Sequence, residues 1–193
     1  MIIKDGKEYA RVSDVLKPFS DFSHIDEAVL ARKCMIGTLV HEAIAQDIQG
    51  NFPILDEDGW GYFKSYMKWA EHMECDFVQS EKRYFDDEYM LTGQIDALIS
   101  YGKEDTPVLV DFKTSASEGK VWTMQAHLYS YLLIKNDVHH QSRFLFVKLD
   151  KKGALPTVFE YKFNKNTAVK SLQAIHMYWK VRKSDSNLIA SKA

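Results

Sequence analysis

The stretch that most constrains the fold is Gly93-Gln94-Ile95-Asp96-Ala97-Leu98-Ile99, followed by Val108-Leu109-Val110-Asp111-Phe112-Lys113-Thr114. Each is a short apolar or β-branched run bounded by turn formers, so each predicts a strand. The polar segment 101–107 between them, with Gly102 and Pro107, predicts a hairpin connection. Alternation along the second strand puts Asp111 and Lys113 on one face and Phe112 on the other. Two carboxylates at adjacent strand ends repel by about 4 kcal/mol at about 4 Å and an effective dielectric near 20. A divalent cation between Asp96 and Asp111 reverses that sign. Alone, the Asp-x-Lys pattern reads first as a surface ion pair, and the rest of the chain decides between the two readings.

A length of 193 residues suits a single domain over residues 1–193, with a full core. The apolar fraction of 46% and charged fraction of 27% are those of an ordinary soluble globular chain. A net charge of −2 gives no basic footprint for coating nucleic acid and leaves room for a local site. Cys34 and Cys75 are too few for an iron–sulfur or zinc cluster and read as free thiols in a reducing cytoplasm. The N-terminus lacks a signal-peptide core, and no apolar run is long enough to span a membrane.

In chain order, residues 1–12 predict a hairpin turning at Lys4-Asp5-Gly6-Lys7, then a short helical turn that ends before Pro18. A long helix is expected over 26–49, with Val29, Ile36, Val40, Ala43 and Ile48 on its buried stripe. Within it Gly37 and His41 lie four apart on one face, and the glycine clears room beside the histidine. By itself His41 reads first as a hydrogen-bonded core histidine. A second helix is expected over 57–74, with Trp60, Phe63, Met67 and Ala70 inward, then a strand over 77–85 that contains Glu81. Asp86-Asp87-Glu88 turns that strand into the next, which runs through Leu91 to the opening motif. Ser115-x-x-Glu118 predicts a capping box for a helix over 120–135. On that helix Gln125 and Tyr129 share a face. Strands over 143–149 and 157–163 and a helix over 166–183 complete the chain. The basic end of that helix suits its dipole or a phosphate. This order predicts an α/β fold: a central mixed sheet with helices on both faces and ligands collecting at strand ends.

With these residues in place, the chain resembles the PD-(D/E)XK nuclease superfamily, in its RecB-like and phage exonuclease branch. The match is ordered: Gly37–His41 on an early helix, Gly93–Asp96, Asp111–Lys113, then Gln125–Tyr129 on the following helix. It runs from about residue 10 to about residue 180. Ile95 stands where the superfamily's name has a proline, and Asp111 where glutamate is more frequent.

The resemblance implies a restriction-endonuclease-like core and a Mg²⁺- or Mn²⁺-dependent DNA exonuclease acting in recombination, repair or phage DNA processing. It assigns one or two ions to Asp96, Asp111, the backbone carbonyl of Phe112 and His41. Glu81 is a further ligand by its place on the first core strand, although a surface strand residue is an equal reading. Lys113 would hold or deprotonate the attacking water, and Gln125 and Tyr129 would position water, Lys113 or the DNA backbone. Histidine ligation favours Mn²⁺ slightly. The expected partners are DNA and a recombination or replication protein. The expected location is a bacterial cytoplasm, with the chain encoded by the bacterium or by its phage. Three other readings stand beside this one: a restriction-like endonuclease, a non-cleaving nucleic-acid-binding module, and a metal-dependent hydrolase of small phosphodiesters.

Overall fold

The computed structural model describes residues 1–20, 22–102, 106–115, 118–119, 121–162 and 164–190, with backbone alone for residues 165 and 182–190. The chain opens with the expected hairpin of β1 (Ile2–Lys4) and β2 (Lys7–Arg11), and the short helix α1 (Val12–Leu16) ends in a 3-10 turn carrying Pro18. Helix α2 (Glu27–Ile48) starts at Asp26, whose side chain accepts the Ala28 and Val29 N–H groups. Helix α3 (Glu57–Met73) starts in the same way at Asp56. The strands β3 (Asp76–Ser80), β4 (Arg83–Asp86), β5 (Leu91–Gln94), β6 (Ala97–Ser100) and β7 (Val108–Lys113) follow. Then come α4 (Trp122–Lys135), β8 (Arg143–Lys148), β9 (Thr157–Lys162) and α5 (Lys165–Ala190).

The strands form two sheets, ordered β1-β2-β5-β4 and β3-β6-β7-β8-β9. The five-stranded sheet is mixed, because β7 and β8 run parallel through the α4 crossover while its other pairs are antiparallel. Alternation along β7 sorts its side chains as expected. Val108, Val110 and Phe112 pack with Val40, Ile44, Phe63 and Trp69 of α2 and α3. Leu109 packs with Leu128 and Leu132 of α4 and Leu172 of α5 on the opposite face. Helices therefore cover both faces, and Asp111 and Lys113 project from the α4 face at the end of β7.

The strand expected over 77–85 is two strands, and the run from Leu91 to Ile99 is also two. β3 pairs with β6 in one sheet, while β4 pairs with β5 in the other. The changeover falls at Glu81-Lys82 on one arm of the hairpin and Ile95-Asp96 on the other. Two backbone bonds, Glu81 N–H to the Asp96 carbonyl (3.1 Å) and Ile95 N–H to the Lys82 carbonyl (3.0 Å), hold it closed. Glu81 takes a left-handed φ of 51°, which a non-glycine residue adopts at a cost, and this bend lets one hairpin serve two sheets.

Other expectations are corrected. Val29 is exposed, because the first turns of α2 run clear of the body; Trp60 and Met67 are also more than one-third exposed. Ser115-x-x-Glu118 does not cap α4: the helix begins at Trp122, after Val121, with no side-chain cap, and the Glu118 carboxylate accepts the Tyr161 hydroxyl. Lys180–Lys183 is not a last turn, since α5 continues to Ala190. Residues 103–105 of the expected hairpin connection, residues 116–117 of the capping box, Lys120 and Phe163 lie outside the described residues.

Gly93 shows how tightly the fold and the α4 face are joined. A Cβ there would lie 2.6 Å from Tyr129 Cε1 and 2.8 Å from Leu132 Cδ1. Both neighbours are buried, so neither ring nor isobutyl group can move aside freely. Gly93→Ala should therefore destabilise the protein by about 1–3 kcal/mol, read as a lower denaturant midpoint at unchanged slope. A midpoint equal to that of the parent would show that α4 is free to shift.

Candidate active site

The break between β5 and β6 creates the site. Beyond Val110, β7 has no β6 partner, since the pairing stops at Ala97 with Val110. The Asp96 side chain takes the place of that strand, its Oδ2 accepting the Phe112 N–H at 2.7 Å. The N–H and C=O of one strand residue point to the same edge, so the Phe112 carbonyl also faces the Asp96 side. The carboxylate's other oxygen, Oδ1, is 3.2 Å from His41 Nδ1, which arrives on α2 from the opposite sheet face. One turn earlier on α2 a Cβ at Gly37 would lie 3.2 Å from Thr114 Oγ1, so the glycine lets α2 close against the end of β7.

Glu81, at the other half of the break, completes a group. His41, Glu81 and Asp96 each offer a ligand atom, and those atoms lie within 4.8 Å of one another. Gln94 Nε2 donates to Glu81 Oε2, and Gln94 Oε1 accepts from Arg83 Nη2. Neither Gln94 nor Arg83 stood out in the sequence. The one signal available was the alternation that places Gln94 beside Asp96 in the opening motif.

Asp111 joins a second group, on the α4 side. Its side chain is 4% exposed, with Oδ1 accepting from Gln125 Nε2 at 3.0 Å. Its Oδ2 lies 2.5 Å from Lys113 Nζ, at an angle that leaves this oxygen without a well-formed hydrogen bond. Lys113 Nζ also donates to Gln125 Oε1 at 3.1 Å and sits over the rings of Phe146 (5.3 Å) and Trp122 (5.9 Å). Gln125 thus clamps both members of the Asp-x-Lys pair. Tyr129 lies one turn after Gln125 on α4, and burial pushes its phenol far up. The expected arrangement, Asp96 and Asp111 as one facing pair, is better described as two adjoining groups joined by Phe112 and electrostatics.

Those electrostatics show a shortage of positive charge. Burial alone would push the His41 imidazole down, yet Asp96 and Asp111 lift it to about 9. Burial pushes Asp111 up to about 6, despite Lys113. Glu81 is raised by burial and by Asp96. Burial also works against the Asp96 carboxylate, but His41, Lys113 and the Phe112 N–H prevail and hold its carboxyl below the usual range. Glu81, Asp96 and Asp111 are three carboxylates offset in part by Lys113, His41 and Arg83. An imidazole nitrogen and carboxylate oxygens, with no thiolate, make a donor set suited to Mg²⁺ or Mn²⁺, and the buried Asp111 Oδ2 offers a further oxygen. The residues present fit a divalent cation.

Two solved structures are similar over 92% of this chain at 14% identity. SSO0001 has a TM-score of 0.50 with 78% of its own chain covered. A protein from Eubacterium rectale, described as a "putative exonuclease", has a TM-score of 0.52 with 84% covered. At that identity they establish the shared fold. No protein of curated function matches the sequence. The family model of the PD-(D/E)XK nuclease superfamily matches residues 57–176, which run from the start of α3 through Asp96, Asp111, Lys113, Gln125 and Tyr129. Most of the chain lies within that match, and the chain belongs to the PD-(D/E)XK nuclease superfamily.

Proposed function

We propose that the protein is a metal-dependent DNA exonuclease of one domain, hydrolysing phosphodiester bonds in recombination, repair or phage DNA processing within a bacterial cytoplasm. The observation that carries this reading is the adjacency of the His41–Glu81–Asp96 group to the Asp111–Lys113–Gln125 group at one sheet end. His41, Glu81 and Asp96 would hold a Mg²⁺ or Mn²⁺ ion, and the Phe112 carbonyl and Asp111 Oδ2 would be further oxygen ligands. A cation there would supply Lewis acidity, lowering the pKa of a water and offsetting charge on the phosphate. Lys113 presents its ammonium where charge develops on the phosphoryl oxygens. Gln125 fixes Lys113 against Asp111, and Tyr129 backs Gln125. No helix of the described residues is long and apolar enough to cross a membrane, which suits a protein that meets DNA in bulk water.

Cleavage at ends is supported by the His41 and Gln125–Tyr129 motifs and by the description of the Eubacterium rectale fold neighbour. End-labelled linear DNA and covalently closed circles, incubated in parallel with Mg²⁺, Mn²⁺ or EDTA, test both parts. Linear DNA should shorten progressively with either metal, while circles survive and EDTA stops all cleavage. Discrete fragments from closed circles would replace this reading with an endonuclease, and cleavage in EDTA would remove the metal from it. In thermal unfolding, Mn²⁺ at about 100 times its Kd should stabilise the protein by about 2.7 kcal/mol. His41→Ala should need more Mn²⁺ for the same rise; an unchanged titration would make His41 a core residue.

A further inference from the structure

The acidic site must admit a polyanion, and its cations are unequally committed. Lys113 is paired with Asp111 at 2.5 Å. Lys82 is exposed and lies over the Tyr84 ring at 5.4 Å. Arg83 differs from both. It is half-buried on β4, directly across from Gln94 in the β4–β5 register, and its Nη2 donates to the neutral Gln94 amide. Among the described residues it makes no ion pair with a carboxylate. Glu81, reached through Gln94, feels its charge without pairing with it, and that carboxylate lies with His41 and Asp96, so the guanidinium can still take a ligand's negative charge. Among the described residues four of its five N–H donors are uncommitted, in the planar fork that matches phosphate oxygens.

Its place in the fold says which phosphate. Tyr84 and Gly93, the next cross-strand pair, face Tyr129 and Leu132 of α4. Arg83 and Gln94 therefore face the other side of their strands. On that side the chain of contacts runs from Arg83 through Gln94 to Glu81, whose carboxylate lies with His41 and Asp96. The guanidinium is two side-chain contacts from the proposed metal ligands.

Resting on the nuclease reading above, we propose that Arg83 is a substrate-binding residue that takes a nucleic-acid backbone phosphate next to the one that reacts. Gln94 anchors one edge of its guanidinium and leaves the rest of the fork to the phosphate. The same amide steadies Glu81, so a bound strand and the acidic group are held by one side-chain chain.

The test is binding of a fluorescent oligonucleotide, followed by anisotropy in Mg²⁺ between about 50 and 200 mM salt, in an Asp111→Asn background that spares the strand. Adding Arg83→Met should weaken binding to a single strand by about tenfold and make the log K against log salt slope shallower by about 0.7. Arg83→Lys should restore the slope and only part of the affinity, because an ammonium keeps the charge without the fork. Unfolding midpoints of all three proteins should agree. Unchanged affinity and slope in Arg83→Met would overturn the proposal while leaving the nuclease reading intact. A loss of affinity at unchanged slope, with a lowered midpoint, would also overturn it by making Arg83 a prop for Gln94. Absence of salt-dependent binding to single- or double-stranded DNA with Arg83 in place would overturn the nuclease reading itself.

Discussion

Asp111→Asn should lower cleavage by at least about 10³-fold while leaving the fold in place. Removing the charge removes a proposed oxygen ligand of the metal and the anion that fixes Lys113. The fold should survive because the surrounding donors and acceptors can be re-paired. Gln125 sits against both residues, with its Nε2 on Asp111 and its Oε1 on Lys113. An asparagine at 111 still offers a carbonyl oxygen with two lone pairs, which can accept from Gln125 Nε2 and from Lys113 Nζ. The substitution also removes a carboxylate whose charge burial disfavours, as its rise to about 6 shows. The stability change should stay within about 1 kcal/mol, a melting shift of no more than about 4 °C. Cleavage measured by release of acid-soluble label, alongside calorimetry, checks both halves. A variant that cuts at the parental rate would remove Asp111 from the chemistry.

Much of this site was legible in the sequence because its residues sit on elements with strong local signals. The alternation in Val108–Lys113 puts Asp111 and Lys113 on one face, and in the fold that is the α4 face. The i, i+4 spacing of Gly37 with His41 and of Gln125 with Tyr129 survived for the same reason. What was not legible is where a strand changes sheet. Glu81-Lys82 and Ile95-Asp96 lie inside runs with continuous strand character, and propensity does not register a change of pairing partner. The bend needs a left-handed residue, and a glutamate there gives no warning. Yet this break brings Glu81 to His41 and Asp96, and it frees the Phe112 N–H for Asp96. Glu81 is the weakest of the candidate ligands by sequence, and its carboxylate lies within 4.8 Å of the His41 and Asp96 ligand atoms.

The false capping box has a related cause. Ser-x-x-Glu is stabilising only if the next residues enter a helix at once, and here α4 starts at Trp122. That later start places the Trp122 ring, stacked on Phe146 at 5.0 Å, under the Lys113 ammonium. A rule about local hydrogen bonds gave way to an aromatic contact between α4 and β8, 24 residues apart in the chain.

That aromatic seat alters what a substitution at Lys113 should do. As an exposed half of a surface pair, the lysine would contribute only about 0–1 kcal/mol. Its side chain is in fact 18% exposed, and its partner Asp111 is nearly closed off. Lys113→Met, which keeps the bulk beside Trp122 and Phe146, should slow cleavage by at least about 10²-fold. It should also destabilise the protein by about 1–3 kcal/mol, because Asp111 is left buried with Gln125 alone. The double variant Asp111→Asn/Lys113→Met separates the two effects. With no charge left to strand, its stability should return to within about 1 kcal/mol of the parent, giving a coupling energy of opposite sign to the single loss. Its cleavage should stay as low as that of Asp111→Asn, since neither the oxygen ligand nor the ammonium is restored. Stability and activity thus respond to different properties of the same ammonium: its pairing with Asp111 and its reach toward the phosphate. A Lys113→Met protein that melts lower yet cuts at the parental rate would leave only the first.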